Sequence, residues 1–248
     1  RSAAAYDPSL IEQAGAKFVD LLTRHLRGVG NREGVVLHWN EPEENVAAAK
    51  RFLENPRPTP APETAGEISA RFVQLAQTML DRGQNLHHPR YIGHQVPASV
   101  PIAGLFDAVG SVTNQVMAIY EMGPWATGVE NALIEKIGER IGLPAGQFAG
   151  LVTHGGSLDN LTALLTARNV ILGDSWEQGA RSDGPPPVLI SHAEAHYCIA
   201  RSAGILGLGT KNVIKAQLDD RRRIDPEWLE AKLTELRAKG QPVMAVAA

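Results

Sequence analysis

Phe148-Ala-Gly-Leu-Val-Thr153, His154-Gly-Gly-Ser-Leu-Asp-Asn160 and Leu161-Thr-Ala-Leu-Leu-Thr-Ala-Arg168 form the stretch that decides the fold. An apolar run passes over two glycines and a serine into a run rich in alanine and leucine, which predicts a strand over 148–153 and a helix over 158–172. Such a turn presents unpaired backbone N–H groups to a phosphate, and Gly155 and Gly156 permit a close approach. Plain Gly-Gly turns also link strands to helices for steric reasons, so both interpretations stay open on this stretch alone.

Strand and helix patterns alternate from this turn to residue 247. Strands are predicted over 188–191, 212–216 and 243–247, and helices over 194–206 and 227–239, the last starting at Asp225-Pro226. A polar loop rich in glycine and proline is predicted over 173–187. Repeated βα units of this length favour a mostly parallel sheet with helices on its faces, so the fold class is α/β.

Helical patterns precede any predicted strand. Amphipathic helices are predicted from Asp7-Pro8, over 42–53 and over 63–81, with a proline-rich linker at 55–62. We assign 1–84 to a helical N-terminal arm and 85–248 to the larger domain. Because the arm has little core of its own, it is expected to pack on another chain or on the main domain.

Two more helices are predicted between the arm and the stretch quoted first. One covers 102–120 and presents a broad apolar face. The other starts at a capping box formed by Thr127 and Glu130 and ends near Gly142.

Composition narrows the class of protein. The chain has 248 residues, with 24 basic against 27 acidic residues and a net charge of −3, which gives no indication of a nucleic-acid partner. No apolar run approaches the roughly 20 residues of a membrane span, and no signal peptide is evident. Cys198 is the single cysteine, which excludes an internal disulfide and fits a reducing compartment. The sequence predicts a cytoplasmic protein without a membrane partner.

A histidine-rich loop over 83–101 is a candidate functional segment because of its length. His87, His88 and His94 have a spacing compatible with metal binding, but no nearby cysteine or carboxylate completes a ligand set. Structural histidines or polar groups of a substrate pocket are the favoured interpretation, and no metal is predicted.

His196 is a second candidate. In open α/β sheets, ligands bind at the carboxyl ends of the strands, and Ser191-His-Ala-Glu-Ala-His-Tyr197 follows the predicted strand over 188–191. The flat imidazole of His196 is able to stack on an aromatic ring and to donate a proton. A histidine on a helix surface is the alternative that the residues alone leave open.

An ordered set of motifs resembles the group II pyridoxal-phosphate-dependent amino-acid decarboxylases, which include aromatic amino-acid, glutamate and diaminobutyrate decarboxylases. The resemblance extends from about residue 60 to the end of the chain, and the sphingosine-phosphate-lyase branch is a near neighbour. The motifs are Asn85-Leu-His-His-Pro-Arg-Tyr91, Tyr120-Glu-Met-Gly-Pro124, Thr127-Gly-Val-Glu130, Thr153-His-Gly-Gly-Ser-Leu-Asp-Asn160 and Ser191-His-Ala-Glu-Ala-His196.

The resemblance implies a fold-type I enzyme with a helical arm, a large domain, a small C-terminal domain and a homodimeric assembly. By position, pyridoxal 5'-phosphate would be held through its phosphate, and His196 would stack over its ring as a catalytic residue. Glu130 matches an acidic position of the family, and the region of His94 and Gln95 would border the substrate pocket. The positions implied for phosphate binding are Gly155, Gly156, Ser157 and Asn160.

The implied reaction converts an L-amino acid to its amine and carbon dioxide. The alternatives are a carbon–carbon lyase like sphingosine-phosphate lyase and a non-catalytic scaffold that binds the cofactor or another phosphate ligand. A nucleotide-binding oxidoreductase is disfavoured because a Gly-x-Gly-x-x-Gly turn is missing.

The family's Schiff-base lysine and its aspartate partner have no counterpart in this sequence. Lys211 and Lys215 stand outside the family's lysine context and are interpreted as surface charges. These residues alone are therefore expected to be inactive. The absence of these two residues would be explained by truncation, by cleavage or by a separate remainder of the polypeptide. The expected partner is a C-terminal remainder that carries the lysine and the aspartate.

Overall fold

The computed structural model describes residues 5–54, 64–180 and 184–248. It divides the chain into two compact units, Arg1–Asn114 and Gln115–Ala248. The predicted linker at 55–62 lies outside the described residues, and the predicted boundary between the arm and the larger domain at residue 84 stays a prediction. Within the described ranges, no helix has both the length and the apolar character that a membrane span requires.

The regular elements described in the first unit are all helices. Its four helices of two turns or more are α1 (Ser9–Gly30), α2 (Pro42–Glu54), α3 (Ala65–Arg82) and α4 (Pro101–Thr113). Helix α3 begins after Thr64, which forms a capping box with Glu67. The prediction for α4 was too long, because Asn114 takes a left-handed conformation with φ 47° and ends the helix.

Helices α1 and α3 pack against each other. The rings of Phe18 and Phe72 meet edge to face, with centroids 5.4 Å apart. Leu21 and Val29 of α1 are buried. The apolar stripes predicted for these two helices therefore find a partner within this unit.

The second unit contains a parallel sheet. Its elements, besides short 3₁₀ turns at Tyr120–Met122 and Thr210–Asn212, are α5 (Pro124–Arg140), α6 (Gly156–Leu172), α7 (Ser175–Gln178), β1 (Val188–Ser191), α8 (Cys198–Ile205), β2 (Val213–Lys215), α9 (Pro226–Ala238) and β3 (Val243–Ala247). The predicted strands over 188–191 and 243–247 are confirmed to the residue. Asp225 caps α9 as predicted, accepting from the backbone N–H groups of Glu227 and Trp228.

Strand β1 lies at the centre of this sheet, with β2 and β3 each parallel to it on opposite sides. Leu189 belongs to a buried cluster that includes Leu164 of α6 and Ile199 of α8. Its neighbour Ile190 points to the other face and packs with Leu236 of α9. Alternate residues of β1 therefore bury against helices on both faces, which confirms the predicted α/β fold class.

The segments 148–153 and 192–197 also differ from their predictions. The segment 148–153 is not a strand, because no strand of the described chain lies beside it to form a ladder. The helix predicted over 194–206 begins only at Cys198. Residues 192–197 instead form turns in which the Nδ1 atoms of His192 and His196 accept from the backbone N–H groups two residues later.

Glu235 on α9 lies between two lysines and provides a pH-dependent contribution to stability. Hydrogen bonds from Lys232 and then Lys239 lower the pKa of its carboxyl group from 4.5 to about 2. Because the folded state has the lower pKa, the contribution is present above about pH 4.5 and is lost as the pH falls toward about 2. We expect Glu235→Gln to weaken the acid dependence of urea unfolding in this window. Glu230→Gln, an exposed change on the same helix, should retain it, and identical pH profiles of the two variants would contradict the prediction.

Candidate cofactor-binding site

The anchor segment, residues 148–152, lies along one face of α5. Three pairs make this contact: Phe148 with Gly138, Gly150 with Ile134, and Val152 with Glu130. Four helical residues rise about 6 Å and two extended residues advance about 6.6 Å, so the spacings of the two elements match. A Cβ at Gly138 would lie 2.1 Å from the Phe148 ring, so any other residue would have to displace that ring. The anchor segment is thus held by a helix instead of a neighbouring strand.

Glu130 makes the last of these contacts. Its Oε1 accepts from the backbone N–H of Val152 at 2.8 Å. The predicted capping box was wrong, because α5 already begins at Pro124 and the Thr127 hydroxyl donates to the carbonyl oxygen of Gly123. The carboxylate therefore takes the place of a ladder partner for Val152.

We expect Glu130→Ala to speed hydrogen exchange at the Val152 amide about tenfold, since a hydrogen bond to a charged group contributes roughly 1.5 kcal/mol or more. Glu130→Gln keeps an acceptor oxygen but loses the charge, so its exchange rate should fall between those of the wild type and Glu130→Ala. Exchange measured by NMR gives the comparison. Glu135→Ala, an exposed change on the same helix, is the control, and an equal effect in this control would refute the assignment.

The glycine turn, residues 153–157, follows the anchor segment. Gly155 has φ 90° and ψ 153°, a conformation that is essentially restricted to glycine. Its N–H donates to the Thr153 carbonyl oxygen at 3.0 Å, and the Thr153 hydroxyl donates to the carboxylate of Asp159. The second of these bonds ties the glycine turn to the first turn of α6.

The N-terminus of α6 presents two unpaired donors. Within the described chain, the backbone N–H groups of Gly156 and Ser157 have no acceptor, and both residues are exposed. A Cβ added at Gly155 or Gly156 would meet no atom within 4 Å, so the space in front of the turn is open. Free N–H groups at the positive end of a 17-residue helix fit a phosphate group.

His196 lies two residues before α8, in the segment that leaves the carboxyl end of β1. Its ring is exposed, and Nδ1 accepts from the backbone N–H of Cys198 at 3.2 Å. The Asn160 side chain donates to the Sγ atom of Cys198, also at 3.2 Å. Cys198 therefore joins the first turns of α6 to the segment that carries His196.

The other candidates lie in the first unit. His94 and Gln95 are exposed, and the Tyr91 hydroxyl donates to the His94 carbonyl oxygen at 3.2 Å. Their place in a substrate pocket stays a prediction. His87 contacts the carbonyl oxygen of Ser99 through Nε2, and His88 is buried. Among the described residues, no group of three histidine, cysteine or acidic side chains has a geometry suited to a metal ion.

Sequence reasoning missed the contact between Glu130 and Val152 and the contacts of Cys198. The first was available as a pattern, because Glu130, Ile134 and Gly138 recur every fourth residue. No local pattern marks the contact between Asn160 and Cys198, since these residues are far apart in the chain.

A parallel sheet, a glycine turn at a helix N-terminus and an exposed histidine after the central strand define an α/β protein suited to a phosphate-bearing ligand. The family model of the pyridoxal-dependent decarboxylase conserved domain matches residues 53–248. The chain belongs to this family, which confirms the predicted resemblance and the cofactor class, pyridoxal phosphate.

Curated relatives extend the same likeness. The chain is 30% identical over 247 residues to the acidic amino acid decarboxylase GADL1 of Bos taurus, covering 97% of this chain and 45% of the relative. The Homo sapiens protein of the same name is 29% identical over 248 residues. The chain therefore spans about half the length of the curated relatives it matches.

Solved structures share the fold. The crystal structure of mouse CSAD matches with a TM-score of 0.80 and 26% identity, covering 97% of this chain and 48% of that one. A Catharanthus roseus tryptophan decarboxylase in complex with L-tryptophan matches with a TM-score of 0.76 and 18% identity, covering 95% and 48%. The second match supports the fold alone.

Proposed function

We propose that the protein is a pyridoxal-phosphate-dependent decarboxylase of an acidic L-amino acid, and that this chain supplies the phosphate-binding and ring-stacking half of its site. The observation that carries the proposal is the pair of unpaired N–H groups at Gly156 and Ser157, which lies within the matched family domain. When bound, pyridoxal phosphate supplies the electron sink for loss of the carboxylate.

The roles of the residues follow from their donors and positions. The backbone N–H groups of Gly156 and Ser157 would hold the phosphate, with the Ser157 hydroxyl as a further donor and Gly155 allowing the close approach. His196 would stack on the pyridine ring and orient it. Asn160 is a further candidate for the phosphate, although its amide N–H already donates to Cys198.

An acidic substrate is proposed because the relative that is 30% identical over 97% of the chain is an acidic amino acid decarboxylase. A cytoplasmic location is proposed from the composition, and a homodimer is proposed from the resemblance. The exposure of helix α4 supports the proposal that another chain packs on it, because five of its large apolar residues are more than half exposed. These are Ile102, Leu105, Phe106, Val109 and Val112.

The Schiff-base lysine and its aspartate are proposed to lie in polypeptide outside these 248 residues. This proposal is supported by the length of the relatives, of which the chain covers about half. Lys211 and Lys215 are both exposed, which fits their interpretation as surface charges.

The test uses the protein purified after expression of its complete gene. Pyridoxal phosphate is added, and absorption spectra are recorded before and after borohydride reduction, followed by mass spectrometry of the peptides. We expect a reducible imine, a pyridoxyl group on a lysine outside this chain, and carbon dioxide release from aspartate-like or glutamate-like substrates. Cofactor binding without a reducible imine would overturn the proposal in favour of a scaffold. Release from aromatic amino acids alone would overturn the acidic substrate.

A further inference from the structure

The surroundings of His196 deepen the proposed function, on which this inference rests. Cys198 is 2% exposed, and it contacts the two predicted site residues through different atoms. Its backbone N–H donates to His196 Nδ1, and its Sγ accepts from the amide nitrogen of Asn160, both at 3.2 Å. Two hydrogen bonds, joined through the covalent bonds of Cys198, therefore link α6 to the imidazole.

This path selects a tautomer. A ring nitrogen that accepts a hydrogen bond carries no proton, so neutral His196 holds its proton on Nε2. The ring is exposed, so the Nε2–H group is available to a bound ligand. A rotated ring or the other tautomer would lose the bond from Cys198.

The orientation of the His196 ring is also supported by its neighbour. The Tyr197 ring lies 4.1 Å from the His196 ring between centroids, with an angle of 36° between planes. The guanidinium group of Arg201 lies 4.4 Å from the Tyr197 ring centroid. These contacts restrict the ring from one side, whereas Cys198 fixes its Nδ1 edge.

We propose that Asn160 and Cys198 are positioning residues for His196, and that Asn160 acts through the Cys198 thiol to fix the ring's tautomer and orientation. The thiol is a weak acceptor, but it lies in the buried cluster with Leu164 and Leu189, where few competing donors are present. Asn160 itself is half-buried. The bond thus restrains the backbone of Cys198 at the start of α8.

Asn169 provides a matched control on the same helix. Its Oδ1 accepts from the side chains of Arg168 and Ser175, so its amide is also engaged in a local network. That network does not include Cys198 or His196. Loss of either asparagine is expected to cost similar general stability, but only loss of Asn160 should alter His196.

The test measures the tautomer of the His196 ring by ¹⁵N NMR in the protein without cofactor. Wild-type protein should show the Nε2–H tautomer, and Asn160→Ala should show a mixture of the two tautomers. Cys198→Ser keeps an acceptor for Asn160 and should retain the wild-type spectrum, whereas Cys198→Ala should behave like Asn160→Ala. Thermal unfolding confirms that each variant is folded. An unchanged His196 spectrum in Asn160→Ala, or an equal change in Asn169→Ala, would overturn the inference.

A second readout connects positioning to the cofactor. The dissociation constant of pyridoxal phosphate is expected to rise about threefold to tenfold in Cys198→Ala, whose side chain is no candidate for phosphate binding, and to stay unchanged in Asn169→Ala, as for a misplaced stacking partner. An unchanged affinity in Cys198→Ala would contradict the positioning role. The two proposals can be refuted separately. If the tautomer of His196 depends on Asn160 but the protein does not bind pyridoxal phosphate, the proposed function alone is refuted. If the protein is an active decarboxylase but the tautomer of His196 does not change in Asn160→Ala, this inference alone is refuted.

Discussion

Replacing His196 with alanine is expected to lower the proposed decarboxylation by roughly a hundredfold or more, the lower range for loss of a group that acts in proton transfer. Cofactor affinity should fall by about tenfold, since stacking on an aromatic ring contributes roughly 1–3 kcal/mol. The reason is the exposure of this imidazole after the carboxyl end of β1, with its Nδ1 edge held by Cys198. Carbon dioxide release and equilibrium titration with pyridoxal phosphate measure the two effects.

A second substitution separates stacking from proton donation. His196→Phe keeps a flat ring but has no N–H group, so it should retain most of the affinity and lose most of the rate. Trp176→Ala serves as the control, because Trp176 is 78% exposed and lies on the short helix α7. Full activity in His196→Phe would show that the ring acts by stacking alone. Full activity in His196→Ala would exclude this histidine from the site.

Replacing Ile190 with alanine is expected to lower the free energy of unfolding by about 3 kcal/mol, within the range for emptying a packed aliphatic site. Ile190 is 0% exposed on the central strand, and the cavity would open between the sheet and α9. Urea unfolding followed by circular dichroism gives the difference. If Ile190→Ala does not fold, Ile190→Val should fold and cost about 1 kcal/mol.

Val170→Ala is the matched control for this core substitution. Val170 is 79% exposed on α6, so its truncation leaves no cavity and should change stability by less than about 0.5 kcal/mol. Equal losses at Ile190 and Val170 would mean that β1 does not form the centre of the folded sheet.

The glycine turn was predictable from the sequence, but the conformation of the segment before it was not. Gly155 and Gly156 stand between an apolar run and a helical pattern, and a helix does begin at Gly156. The strand expected before the turn did not form. An apolar run indicates burial and the spacing of the buried side chains, but it does not indicate whether a second strand is present to pair with it.

His196 was placed correctly after β1 but wrongly within a helix. The residues over 194–206 have a helical pattern and helical propensity. The imidazoles of His192 and His196 nevertheless accept hydrogen bonds from backbone N–H groups, so the chain forms turns and the helix begins only at Cys198. Side chains that compete for backbone donors in this way delay the start of a helix. The resulting position turns His196 outward, where the proposed function needs it.

The sequence by itself determined the apolar runs that become β1 and β3, the start of α9 at Asp225-Pro226 and the ordered family motifs. The runs and the cap are patterns a few residues long, so they can be recognised before the fold is known. Only the tertiary structure decided that Glu130 holds Val152 and that Cys198 joins Asn160 to His196. The Glu130–Val152 and Asn160–Cys198 bonds connect atoms 22 and 38 residues apart in the chain, so they exist only after the helices and the sheet have packed.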